Sequence, residues 1–150
     1  MKILFVCTAN ISRSFLAEKL MQHEIELRQL TGVFVKSAGV YANPGSLPDP
    51  KMVAYLNQNQ IVASDHASSR IDDENIRWAD HILVMEKSHA EEIVRLWPDA
   101  GEKVDLLGRF VSMDGSADDV VDPFGRTPFH YRLAQSQIVM GVTRFIETRI

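Results

Sequence analysis

An α/β fold is predicted: a single three-layer domain in which a four-stranded parallel sheet is flanked by helices on both faces. Two observations carry this. Four short apolar runs, KILFVC, VFVKSAG, HILVM and KVDLL, alternate along the chain with longer segments of helical character. Such alternation implies right-handed βαβ crossovers, and a sheet built from crossovers is parallel and covered on both sides. The length of 150 residues suits one domain over residues 1–150, and no repeat or linker-like stretch divides it.

Each element has its own signal. Residues 2–7 form an apolar run of strand length. After CTANISR, the segment SFLAEKLMQHEIELRQL (14–30) sets Leu16, Leu20, Ile25 and Leu27 among Glu and Lys, the pattern of a surface helix. Residues 33–39 read as a second strand that ends in a small-residue turn. The loop NPGSLPDP follows, and its Asp49 and Pro50 suit the N-cap and first position of a helix through MVAYLNQ. The polar stretch HASSRIDDENIRWAD leads into a short helix. HILVM is the third strand, KSHAEEIVRLW a helix stopped by Pro98, and KVDLL the fourth strand. Residues 108–128 are long, polar and turn-rich, which marks a functional loop. The last segment, 129–150, carries Ile138, Val142, Phe145 and Ile146 at helical spacing.

Composition narrows the function. A hydrophobic share of 45% and a charged share of 24% are those of a soluble globular protein. The net charge of −4 argues against a nucleic-acid partner, while a single phosphate needs only a local positive pocket. The apolar run Ile3–Val6 is too short for a secretory signal, and no run approaches the ~18 apolar residues of a membrane span. One cysteine excludes an intrachain disulfide and fits a reducing compartment, so the expectation is a cytoplasmic protein with no membrane partner. His23, His66, His81, His89 and His130 show no metal-ligand spacing. No metal and no cofactor are therefore expected, and His81 and His89 are placed at the surface or at helix ends.

The one cysteine stands in CTANISRS, residues 7–14, between the first strand and the first helix. Ligands of parallel sheets bind at the carboxyl ends of strands, which is where Cys7 falls. A strand-to-helix loop offers inward backbone N–H groups and the positive end of a helix, an anion site. Arg13 adds a permanent charge shaped to grip two phosphate oxygens. Cys7 feels the same positive field, which favours the nucleophilic thiolate, and Ser14 can donate to it. A lone cysteine is more often a buried structural thiol; the arginine six residues on, followed by serine, reverses that preference. Attack on phosphorus needs a proton donor for the leaving oxygen. Asp122 in VVDPFG is the candidate, stiffened by Pro123 and given an apolar setting by Val120, Val121 and Phe124. Asp114, Asp118 and Asp119 read as solvated loop charges.

With these residues in view, the chain resembles the low-molecular-weight protein tyrosine phosphatases, including the bacterial protein-arginine phosphatases. The similarity covers almost the whole chain and rests on VCTANISRSFLAE, VKSAGVYANPG, ADHILVM and DPFG. The resemblance implies that Cys7 forms a phosphocysteine, and that Asp122 protonates the leaving group and then assists water. It implies that Arg13 and the backbone N–H groups of Thr8, Ala9, Asn10, Ile11, Ser12, Arg13 and Ser14 hold the phosphate. Asn10 would hold the loop's turn with Ser37 bonded to it, Ser14 would tune the thiolate, and His66 would join the supporting network. Tyr41 and Phe124, with Ile11, would wall the substrate cleft. The implied partner is a phosphorylated protein, bound by a monomer or weak homodimer.

Four positions depart from the family pattern. Ala9 stands where glycine is usual and fits only with negative φ. Ser12 replaces a second cysteine, so an oxidised Cys7 has no neighbour to trap it as a disulfide. Phe15 replaces a proline at the helix start, adding an apolar contact. Ile11 replaces the threonine of arginine phosphatases; it cannot hydrogen-bond a guanidinium and suits a flat phenyl ring. SAGVYANP, HASS and DVVDPFG look closer to the arginine-phosphatase branch, but contacts at the reacting group set specificity, so phosphotyrosine is the expected substrate and phosphoarginine the alternative. A thiol relay such as that of arsenate reductases is excluded by the single cysteine. A non-catalytic phosphate-binding module, or a phosphocysteine carrier, would not need Asp122.

Overall fold

The computed structural model describes residues 1–63 and 65–150. Four strands, β1 (Lys2–Cys7), β2 (Phe34–Gly39), β3 (His81–Val84) and β4 (Val104–Leu106), form one parallel sheet in the order β2-β1-β3-β4. Five helices connect and cover them: α1 (Arg13–Leu27), α2 (Pro50–Gln58), α3 (Asp73–Trp78), α4 (Lys87–Leu96) and α5 (Pro128–Arg149).

The pleat of β1 divides the core. Ile3, Phe5 and Cys7 face one way, into a cluster with Phe15, Leu16 and Met21 of α1, Met52 and Leu56 of α2, and Ile138, Val142, Phe145 and Ile146 of α5. Leu4 and Val6 face the other way, against Ile76 of α3 and Ile93 of α4. The result is the expected three layers. A fully buried side chain of this kind contributes about 1.5–3 kcal/mol of transfer free energy, so β1, buried along all but its first residue, is the spine of the molecule.

Several element ends differ from the sequence expectation. Helix α1 stops at Leu27, which is 67% exposed instead of facing the core. The chain then turns through Gln29 at φ 54°. Strand β4 has three residues, shorter than KVDLL, because Lys103 belongs to the 3-10 turn before it and Leu107 to the one after. Pro98 stops α4 and also opens a 3-10 turn, Pro98–Lys103. The long polar segment begins in a second 3-10 turn, Leu107–Phe110. Asp49 caps α2 as expected: its Oδ1 accepts from the Lys51 N–H at 3.0 Å, with Pro50 at the first helical position.

Candidate active site

The sheet order reverses between β1 and β3. Chain leaving β1 goes to β2 on one side, while β3 and β4 lie on the other, which opens a crevice at the carboxyl ends of β1 and β3. Cys7 ends β1 at that crevice, and Met85 and Glu86 leave β3 beside it. Strand β2 ends there too, so close to the loop after Cys7 that a Cβ on Gly39 would lie 2.5 Å from the Thr8 carbonyl oxygen.

The loop from Cys7 to Arg13 is held by its own side chains. Asn10 adopts φ 56°, the left-handed region that asparagine tolerates. Ala9 keeps a negative φ, so alanine fits there without strain, as the sequence required. The Asn10 side chain is fully buried and saturated: Oδ1 accepts from the Ser69 N–H at 2.8 Å, and Nδ2 donates at 2.9 Å to both Ser14 Oγ and Ser37 Oγ. Ser37 in turn donates to the Glu18 carboxylate. His66, itself buried, bonds the Asn10 carbonyl through Nε2 at 2.7 Å, and its ring lies 4.6 Å from that of Phe15.

This chain of bonds sets a proton direction. Ser14 Oγ accepts from Asn10, so its own O–H is free to donate to Cys7 Sγ, 2.9 Å away. Ser12 is the N-cap residue of α1, yet its hydroxyl makes no cap bond; it donates to Asp49 Oδ2 at 3.0 Å, which also accepts from the Tyr131 hydroxyl at 2.6 Å. The first-turn N–H groups of α1 are thus left without a side-chain cap, available to an anion.

Arg13 is 2% exposed, and its guanidinium is oriented from two sides. Nη1 donates to the Val120 carbonyl at 2.9 Å, and Nη2 to Glu86 Oε2 at 2.8 Å. Asp122 Oδ2 is 3.6 Å from the same Nη2, and Oδ1 accepts from the Phe124 N–H at 3.2 Å. Cys7, Thr8, Ala9, Ile11, Ser12, Arg13, Asp122 and Phe124 line one cavity of about 210 Å³. A larger groove, about 480 Å³ beside Phe34 and Trp78, includes Lys2 at the opposite end of β1 and is lined by no cysteine, serine or threonine.

The cavity therefore gathers Cys7, Arg13, Asp122, Ile11 and Phe124, while Asn10, Ser14, Ser37 and His66 form the support behind it. Three expectations need correction. Tyr41 is 60% exposed and does not line the cavity; its backbone N–H bonds the Thr8 carbonyl at 2.9 Å, so the chain turns it outward. Asp122 is not in an apolar setting: its side chain is 54% exposed and Phe124 is exposed as well, while Val120, Val121 and Pro123 turn toward the interior, away from it. His89 does sit on the first turn of α4, but it is buried, with Nε2 2.9 Å from Thr8 Oγ1. Burial and the nearby Arg13 charge lower its pKa to about 4. Asp119 is exposed, as a solvated loop charge should be, and it also accepts from the Lys87 N–H at 2.8 Å, tying the loop to α4. Glu86, Glu18 and Tyr131 were not singled out by sequence; nothing in their local pattern distinguishes them. Among the described residues no cluster of three or more metal-ligating side chains occurs, and no helix is long and apolar enough to cross a membrane.

Known proteins share this arrangement of chain. Residues 2–148 match the family model described as low molecular weight phosphotyrosine protein phosphatase. A protein-arginine-phosphatase of Geobacillus stearothermophilus is 40% identical over 97% of this chain and 94% of its own. The low molecular weight protein-tyrosine-phosphatase Wzb of Escherichia coli K12 is 32% identical over 83% of this chain and 79% of its own. The solved structure of YwlE arginine phosphatase from Geobacillus stearothermophilus superposes with a TM-score of 0.86 at 40% identity, covering 97% of this chain and 90% of that one. A strand-to-helix cysteine loop at the switch point of a four-stranded parallel sheet, matched over nearly every residue, has one explanation: the chain belongs to the low molecular weight phosphotyrosine protein phosphatase family.

Proposed function

We propose that the protein hydrolyses phosphotyrosine in protein substrates through a phosphocysteine. Cys7 Sγ attacks phosphorus in line with the leaving oxygen while Arg13 and the loop N–H groups take the charge of the equatorial oxygens. Asp122 gives its proton to the departing phenolate. Its carboxylate then accepts a proton from water, which attacks phosphorus, frees the Cys7 thiolate and releases inorganic phosphate. The observation that carries this reading is the meeting of Cys7, Arg13 and Asp122 in one cavity. The single cysteine, used as a thiolate, also suits the cytoplasm.

Hydrolysis of p-nitrophenyl phosphate without added metal tests the chemistry. Cys7→Ser is expected to lose turnover altogether, and Asp122→Ala to lose about 10²–10⁴-fold in kcat. Undiminished turnover by Cys7→Ser overturns the reading.

A second reading, phosphoarginine hydrolysis, is favoured by the 40% identity to a protein named an arginine phosphatase. Against it stands Ile11 in the cavity wall, which offers no hydrogen bond to a guanidinium and leaves that polar group unpaired. The wild type should therefore show the higher kcat/KM on phosphotyrosine. Ile11→Thr should move the ratio of the two substrates by about tenfold or more toward phosphoarginine. Wild-type preference for phosphoarginine in the same assay would reverse the assignment.

A further inference from the structure

Two contacts fix the tautomer of the buried His89. The backbone N–H of Glu86 can only donate, and it meets His89 Nδ1 at 3.1 Å. Nδ1 therefore carries a lone pair, and the ring proton is on Nε2, 2.9 Å from Thr8 Oγ1. The Thr8 oxygen accepts this proton. Among the described residues its own O–H has no other hydrogen-bond partner. Thr8 directly follows Cys7 and lines the cavity.

We propose that His89 is a positioning residue that turns the Thr8 hydroxyl into a donor for the oxygens of a phosphoryl group bound in the cavity. The inference rests on the reading of this loop as a phosphate site, and deepens it by adding a side-chain donor to the ring of backbone N–H groups. The ring must stay neutral to do this: a proton on Nδ1 would confront the Glu86 N–H, donor against donor. Burial and Arg13 keep the imidazole neutral at pH 7. The remaining charges facing it are Glu86, whose Oε2 is 3.4 Å from Nε2, and Asp119 and Asp122 of the neighbouring loop. Glu86 is already engaged by Arg13 at 2.8 Å, which leaves Thr8 as the nearer acceptor for Nε2.

The experiment is calorimetric titration of inorganic phosphate, alongside p-nitrophenyl phosphate turnover. The variants are Thr8→Val, Thr8→Ser, His89→Leu, His89→Gln and the double variant Thr8→Val/His89→Leu. Thr8→Val and His89→Leu should each weaken phosphate binding by about three- to tenfold, the scale of one hydrogen bond. Their effects should not multiply in the double variant. Thr8→Ser keeps the hydroxyl, and His89→Gln keeps an acceptor for Glu86 and a donor for Thr8; both should bind within about twofold of wild type. A purely structural histidine would not show this pairing. Unchanged binding by Thr8→Val, or losses that multiply, overturns the inference. The ring ¹⁵N spectrum of the wild-type protein decides it even if His89→Leu fails to fold, since a proton on Nδ1 rules the arrangement out. Phosphate binding without turnover in the wild type would sink the hydrolase reading and leave His89 standing. Turnover with Thr8→Val indistinguishable from wild type would do the reverse.

Discussion

A histidine held neutral inside a protein has a cost at low pH, and His89 sets where it falls. Its pKa drops from 6.5 to about 4 on folding, so the unfolded chain binds the proton more readily than the native one. Its contribution is fully present above pH 6.5 and is lost as pH falls from there to about 4, amounting to on the order of 3 kcal/mol. His89→Gln carries no such proton. Urea unfolding of both proteins between pH 7.5 and pH 4 should show the wild type losing stability faster, and parallel pH profiles would contradict this. The residues readable from sequence and those not readable differ in one respect. Cys7, Arg13 and Ser14 announce themselves because they share a loop, and Asp122 because Asp-Pro stands out in a polar segment. Thr8 and His89 are 81 positions apart, and Arg13 and Glu86 are 73 apart. No local pattern links either pair; only the crossover that sets β3 beside β1 does.

At the scale of elements, the loop from Cys7 to Arg13 is supported as much by neighbouring backbone as by its own residues. Val40 N–H bonds the Cys7 carbonyl at 3.0 Å, and Tyr41 N–H bonds that of Thr8 at 2.9 Å, so the turn after β2 is fastened to the loop after β1. Gly39 permits the approach, since an added Cβ would lie 2.5 Å from Thr8 O and 2.9 Å from the Asn10 nitrogen. Both neighbours are backbone and cannot yield by changing rotamer. Gly39→Ala should therefore push β2 away from the loop, cost about 1–3 kcal/mol in urea unfolding, and lower turnover further than that loss of stability explains. A variant with wild-type turnover and midpoint would mean the turn can shift freely. The strands and helices themselves were legible in sequence because apolar period and caps are local. The outward turn of Tyr41 was not: it depends on those two backbone bonds, which join segments that sequence pattern treats as independent.

At the scale of the whole molecule, the site is where separate layers meet, so its ligand should tie them together. Cys7 comes from β1, Arg13 from α1, Glu86 from the exit of β3, and Asp122 from the loop before α5. That loop is pinned just before Asp122. Val120 N–H bonds the Met85 carbonyl at 2.8 Å, its carbonyl accepts from Arg13, and Val121 N–H bonds Gln137 Oε1 of α5 at 3.0 Å. Gly108 lets the start of the same segment fold back, because a Cβ there would strike the Asp118 carbonyl at 1.7 Å. An anion in the cavity thus restrains four chain segments that unfolding would separate. At a hundred times its dissociation constant, inorganic phosphate should add about 2.7 kcal/mol to the native state. For a chain of this size that raises the thermal midpoint by roughly 5–10 °C. The rise should grow with the logarithm of phosphate concentration and be absent with chloride at equal ionic strength, since the protein's net charge of −4 gives anions no general attraction. Arg13→Lys keeps the charge but loses the planar fork and its bonds to Val120 and Glu86, so it should abolish most of the shift. An equal rise in Arg13→Lys would place the phosphate elsewhere on the molecule, away from the cavity that Cys7 and Asp122 share.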